Sequence, residues 1–203
     1  RGRVEAQSQE ETDVTAEEET EKNADFPGAP PFTVDLLDIN EYSRPGIALE
    51  KINGIVIHYT ANPKSTAKQN RDYFEGLKDS HETKASSHFV VGIKGEIVQC
   101  IPSSEISYAS NSRNSDTLSI ECCHKDKSGK FTKETYQSLV ELVGWLCQRF
   151  GLTSEQVIRH YDVTGKNCPK YFVEHEDEWE QFKKDVDAQI AVVEQEVETA
   201  SQQ

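Results

Sequence analysis

Apolar and polar positions alternate along the chain with two distinct periods. Ile55-Val56-Ile57-His58-Tyr59, entered through Asn53-Gly54, is a β-branched run of the kind that makes a buried strand. Residues 65–78 carry Tyr73, Phe74 and Leu77 on one side, which predicts a helix. Residues 87–93 and 96–101 flank Lys94-Gly95 and predict a hairpin with a two-residue turn. Residues 117–123 read as a further strand, in which Leu118, Ile120 and Cys122 face one side and Ser119, Glu121 and Cys123 the other.

The clearest helix spans 132–150, where Tyr136, Leu139, Val140, Val143, Leu146, Cys147 and Phe150 form one stripe. Thr132 is placed to cap it and Gly151 to end it. Val157-Ile158-Arg159-His160 reads as extended, and Trp179, Phe182, Val186 and Ile190 predict a last helix over 177–190. The order β-α-β-β-β-α-β-α predicts an α/β protein: one domain with a mixed central β-sheet flanked by helices.

Charge changes this picture only at the ends. Of 203 residues 36 are acidic and 22 basic, a net charge of −14. Residues 1–25 hold nine acids and three bases, and residues 174–203 hold ten acids and two bases, so 26–173 is neutral. Residues 1–25 contain no aromatic side chain and cannot offset their ordering entropy by burial. The chain therefore divides into a disordered acidic linker over 1–31, a folded domain over 32–190 and a polar tail over 191–203, of which 194–203 is expected to fray. The acidic balance excludes a nucleic-acid footprint, and no apolar run is long enough to span a membrane. The sequence begins at Arg1 and lacks methionine, as expected of a fragment or processed form whose signal or anchor would lie upstream.

Candidate chemistry lies at strand ends. His58 closes one apolar strand, His160 follows another, and Cys168 comes eight residues later. Neutral imidazoles and a thiolate suit zinc, and three protein ligands with one open position mark a catalytic site. Each residue would equally serve as an ordinary hydrogen-bonded histidine or buried thiol, and the spacing names no reaction.

Four ordered segments narrow the choice: Ile55-Val56-Ile57-His58-Tyr59-Thr60-Ala61, Ser86-Ser87-His88-Phe89-Val90-Val91, Leu118-Ser119-Ile120-Glu121, and the run from Arg159 through Cys168-Pro169. Together they resemble the zinc N-acetylmuramoyl-L-alanine amidases of the type-2 family, which includes phage lysozyme-type amidases, bacterial autolysins and animal peptidoglycan recognition proteins. The resemblance runs from about residue 32 to about 182. It implies that His58, His160 and Cys168 hold Zn2+, that Lys166 stabilises the charged tetrahedral intermediate, and that Glu121 is the general base. An isolated Glu among Ile and Cys is costly in a strand unless it has such a task; otherwise Glu121 lies on a solvent-facing surface.

The chain departs from the family at Ser87, where many members carry a catalytic tyrosine, so the chemistry would lean on Glu121. Ser107-Tyr108 replaces a Trp-His pair common in relatives, and Tyr108 would stack on a sugar or simply pack. His88 is expected to pack behind the site or orient a ligand, and Asp162 to hold a ligand imidazole or cap its loop. Cys100, Cys122, Cys123 and Cys147 remain, with a bridge from Cys100 to Cys122 or Cys123 left open.

The implied activity is hydrolysis of the amide between N-acetylmuramic acid and L-alanine, by a monomer whose partner is bacterial peptidoglycan. The implied location is extracellular or at the cell wall, with a phage endolysin as the competing origin. Three rivals stand beside it: a non-catalytic peptidoglycan-binding module of the same fold, a cysteine hydrolase pairing Cys168 with His160 or His58, and a structural zinc module.

Overall fold

The computed structural model describes residues 26–203, so the acidic segment 1–25 lies outside the described residues. Six strands form one sheet: β1 (Thr33–Val34), β2 (Gly54–Tyr59), β3 (Phe89–Val91), β4 (Ile97–Gln99), β5 (Thr117–Cys122) and β6 (Val157–Arg159), in the order β1-β4-β3-β5-β2-β6. Only β3 and β4 are antiparallel. The centre is the parallel pair β2–β5, in register from Gly54↔Thr117 to Tyr59↔Cys122. Both strands are buried on two faces, which accounts for their near-continuous apolar sequence. The hairpin turn is one residue longer than expected: Gly92 N–H donates to Glu96 C=O at 2.7 Å around Ile93-Lys94-Gly95, with Gly95 at φ +84°.

Among the described residues five α-helices cover the sheet: α1 (Ala67–Ser80), α2 (Lys133–Phe150), α3 (His160–Thr164), α4 (Lys170–Glu174) and α5 (Glu176–Ser201). One face, with Ile55, Ile57, Leu118, Ile120 and Cys122, packs under α2 and α5 through Leu139, Val143, Leu146, Phe182 and Val186. The Thr132 hydroxyl accepts from Thr135 N–H, and Gly151 closes α2 in the left-handed region at φ +68°. The opposite face carries a smaller cluster, with Val90, Cys100 and Cys123 under Ala67 and Phe74 of α1. Helix α1 contacts β3 and β4, so it lies toward that end of the sheet. The side chains of β2 and β5 on this second face include His58 and Glu121.

Several boundaries differ from the sequence reading. Tyr73 points outward, 48% exposed, and Arg71 takes the inward position instead. Its guanidinium donates to the carbonyls of Asp35 and Leu36 and to Glu75 at 2.8 Å, so a charge sits in the stripe that hydropathy alone would leave apolar. Residue 160 begins α3 rather than ending a strand, and β1, α3 and α4 are too short to leave a periodic signal.

The last helix runs to Ser201, past the expected end near residue 190, and its acidic first turn of Glu176, Asp177 and Glu178 complements the helix dipole. Val193 is fully buried, so the packed face of α5 extends past residue 190. Packing also begins before residue 32, since Phe26 stacks edge-on against Trp145. All five cysteines are free and buried, which settles the question of a bridge from Cys100.

Candidate metal centre

Sheet order brings the two histidines together. His58 is the fifth residue of β2, and β6 pairs in parallel with β2 through Ile57↔Arg159. His160, next after Arg159, therefore emerges beside His58, with ring centroids 4.6 Å apart. Cys168 comes from the α3–α4 loop, which returns because Tyr161 N–H donates to Cys168 C=O at 2.9 Å. The Cys168 Sγ lies 3.9 Å from His58 Nδ1. One donor atom from each of the three buried residues lies within 4.8 Å of the others.

Each imidazole is also held through its Nε2. His58 Nε2 is 3.0 Å from Ser110 Oγ, and His160 Nε2 is 2.8 Å from Asn111 Oδ1. Sequence reasoning did not single out either partner. Residues 110–116, Ser-Asn-Ser-Arg-Asn-Ser-Asp, announce a turn by composition but not what the turn touches. Asp162, one of the two roles weighed for it being imidazole support, instead caps its own loop: it accepts from Arg159 N–H at 2.9 Å and pairs with the Arg159 guanidinium.

The electrostatics leave both imidazoles in the form that ligates a metal. Burial, with the charges of His160 and Lys166, pushes the His58 pKa down to about 3, and burial and Lys166 also lower that of His160. Both rings are therefore neutral and keep a lone pair for a ligand. Burial and then Glu121 raise the Cys168 thiol to about 12, a cost that a divalent ion would offset. Two imidazoles and one thiol in this arrangement fit a metal ion with borderline-soft preferences.

Glu121 lies opposite His58 in the β2–β5 register. Burial raises its carboxyl to about 8, while the positive charge of Lys166 acts the other way. Lys166 is exposed on the α3–α4 loop, two residues before Cys168, and its charge reaches Glu121, both histidines and Cys168.

His88 stays outside the cluster. Its Nδ1 accepts from Ser119 N–H at 3.0 Å and its Nε2 donates to Glu105 C=O at 2.7 Å, so both nitrogens are committed to packing. Ser87 is fully buried and donates to Phe89 C=O. Ser107 bonds Ser119, and Lys84 Nζ lies 5.7 Å from the centre of the Tyr108 ring.

Fold and site together define an α/β protein with a His-His-Cys cluster at the carboxyl ends of parallel strands. The family model described as N-acetylmuramoyl-L-alanine amidase matches residues 48–171, a span that holds His58, Glu121, His160, Lys166 and Cys168. The chain belongs to that family.

Among its relatives, the N-acetylmuramoyl-L-alanine amidase CwlL of Bacillus licheniformis is 38% identical over 166 residues, covering 75% of this chain and 46% of the relative. The N-acetylmuramoyl-L-alanine amidase BlyA of Bacillus subtilis (strain 168) is 31% identical over 181 residues, covering 79% and 48% respectively. The chain thus spans about half the length of these relatives. Two solved structures share the fold. The catalytic domain of XlyA superposes with a TM-score of 0.66 at 24% identity, over 77% of this chain and 99% of that one. PlyL superposes at 0.67 and 22% identity, over 77% and 97%. Among the described residues no helix is long and apolar enough to cross a membrane.

Proposed function

We propose that this chain is a zinc-dependent N-acetylmuramoyl-L-alanine amidase that cleaves the bond between the lactyl group of N-acetylmuramic acid and L-alanine in bacterial peptidoglycan. What supports the reading above all is the convergence of His58, His160 and Cys168 on one point, donor atoms within 4.8 Å, in a chain of the amidase family. In this reading those three residues hold the zinc. When bound, the ion supplies Lewis-acid polarisation of the carbonyl and a more acidic attacking water, whose pKa falls from about 15.7 to roughly 7.

The chain's own residues do the rest. A Glu121 carboxylate oxygen accepts a proton from the attacking water and later donates it to the leaving nitrogen of L-alanine. The Lys166 ammonium faces the negative charge that develops on the attacked oxygen. The place of action is the cell wall.

The test is digestion of purified peptidoglycan, with released peptides read by mass spectrometry and amino-terminal labelling. New L-alanine amino termini are expected, and they should vanish with a chelator and in Cys168→Ala. Zinc binding and sedimentation with sacculi without any released peptide would instead identify a binding module. The buried Ser87, where many family members carry a tyrosine, gives that second reading its specific motive.

A further inference from the structure

Two adjacent residues on one turn reach both candidate histidine ligands. Ser110 Oγ meets His58 Nε2 and Asn111 Oδ1 meets His160 Nε2. We propose that Ser110 and Asn111 are positioning residues: they accept the Nε2–H of both imidazoles and so fix Nδ1 of each as the metal-binding nitrogen. The inference rests on the reading of His58, His160 and Cys168 as a zinc site.

The turn is built to hold this position. Asn114 Oδ1 accepts from the backbone N–H of Ala109 at 3.1 Å and of Ser110 at 2.6 Å, and Arg113 N–H donates to Ser110 C=O at 3.0 Å. The Arg113 guanidinium is in turn clamped to Asp116 at 2.8 Å. Ser110 is 1% exposed, so its hydroxyl has little water to turn to. Asn111 sits at φ +54°, a left-handed conformation that asparagine tolerates better than most residues. Its amide oxygen faces His160 Nε2, and two lone pairs cannot share that gap. The ring must present a hydrogen there and its lone pair on Nδ1. His58 Nδ1 is likewise the nitrogen that faces Cys168 Sγ. Outer partners of this sort orient a ligand ring and raise its basicity.

The full chain, loaded with zinc, is tested by long-range 1H–15N spectra of its histidines and by competition against a chromogenic chelator. One equivalent of zinc and Nε2–H on both His58 and His160 are expected. Asn111→Gly keeps the left-handed backbone but removes the acceptor, and Ser110→Ala removes the other; each should weaken zinc about 10- to 100-fold. Asn111→Asp can only accept, and should keep affinity within about threefold, well short of that loss. Cobalt spectra should shift in Asn111→Gly and return in Asn111→Asp.

Nδ1–H on either ring, or unchanged zinc affinity in Asn111→Gly, overturns the inference while leaving the zinc site standing. A wild-type chain that binds no zinc overturns both. Should a variant fail to fold in its metal-free melt, the wild-type spectra alone decide.

Discussion

His58 and Glu121 lie directly across from one another on the parallel strands β2 and β5, on the same face of the sheet. A ladder pair is among the most rigid relationships a protein can offer, because both backbones are fixed by hydrogen bonds on either side. A carboxyl placed this way cannot drift from the cluster, and burial keeps its pKa high. Glu121→Gln removes the proton acceptor at nearly constant shape. It should lower kcat by about 10²- to 10⁴-fold while zinc stoichiometry stays the same. Steady-state kinetics and zinc analysis on one preparation check this, and near-normal turnover would take Glu121 out of the reaction.

This much of the site was legible because the central strands are legible. Three apolar residues leading into His58, and an alternating strand with one Glu, locate two groups without any tertiary information. The parallel register that sets them side by side was not readable, since nothing local in a strand names its neighbour. His160 and Cys168 stood out as residue types, but their approach depends on β6 joining β2 and on the short helices α3 and α4. Helices of five residues have no periodicity to detect. Ser110 and Asn111 were hidden for a different reason: turn formers are common, and only the folded chain shows which one meets a ligand. Arg71 escaped because its charge is satisfied by carbonyls and carboxylates distributed from Asp35 to Glu75.

Zinc binding should release at least one proton at pH 7, and Cys168 should supply one. The thiol is held at about 12 before metal binds, so it is protonated, and it must ionise to ligate. His58, at about 3, has no proton to lose on its ligating nitrogen. Affinity should therefore fall at least tenfold per pH unit lost, as competition by the thiol proton requires. Calorimetry in buffers of different ionisation enthalpy measures the release, and a value near zero would exclude Cys168 thiolate as a ligand.

Lys166→Ala should lower kcat far more than it raises KM, because the developing negative charge exists only in the transition state. By analogy with a single lost oxyanion donor, the loss is about 10²- to 10³-fold in kcat. Lys166→Arg should recover part of it, since the charge is retained. Unchanged turnover in Lys166→Ala would remove the residue from the mechanism.

In the metal-free protein Glu121 should make stability fall as pH rises. Its folded pKa, about 8, lies above the ordinary glutamate value of 4.5. Below pH 4.5 the carboxyl is protonated in both states and adds no penalty. Between there and pH 8 the unfolded chain releases its proton while the folded chain keeps it, so the unfolded state gains. The full effect is on the order of a few kcal/mol. His58, with its depressed pKa, acts with the opposite sign, losing stability as pH falls from 6.5 toward 3. The difference between wild type and Glu121→Gln isolates the carboxyl. Urea midpoints of that pair should converge at low pH and separate toward pH 8, with the glutamine variant the more stable. Parallel curves would show that Glu121 is well solvated.

Gly28 and Val193 tie the entry segment to the last helix. Gly28 has φ +82°, and a Cβ there would lie 2.6 Å from Val193 Cγ1. Val193 is fully buried and belongs to the main core, so it has little room to yield. Gly28→Ala should cost about 2–4 kcal/mol, roughly 1 from the left-handed backbone and the remainder from overpacking. Val193→Ala alone should cost about 1.5–3 kcal/mol through lost burial and a cavity. Together they should cost less than the sum by about 1 kcal/mol or more, because the smaller side chain relieves the clash but not the backbone strain. Denaturant unfolding of the four proteins gives the coupling directly. Strict additivity would mean that the helix beyond residue 190 does not rest on Gly28 in solution, and that the folded unit ends where the apolar stripe of Trp179, Phe182, Val186 and Ile190 ends.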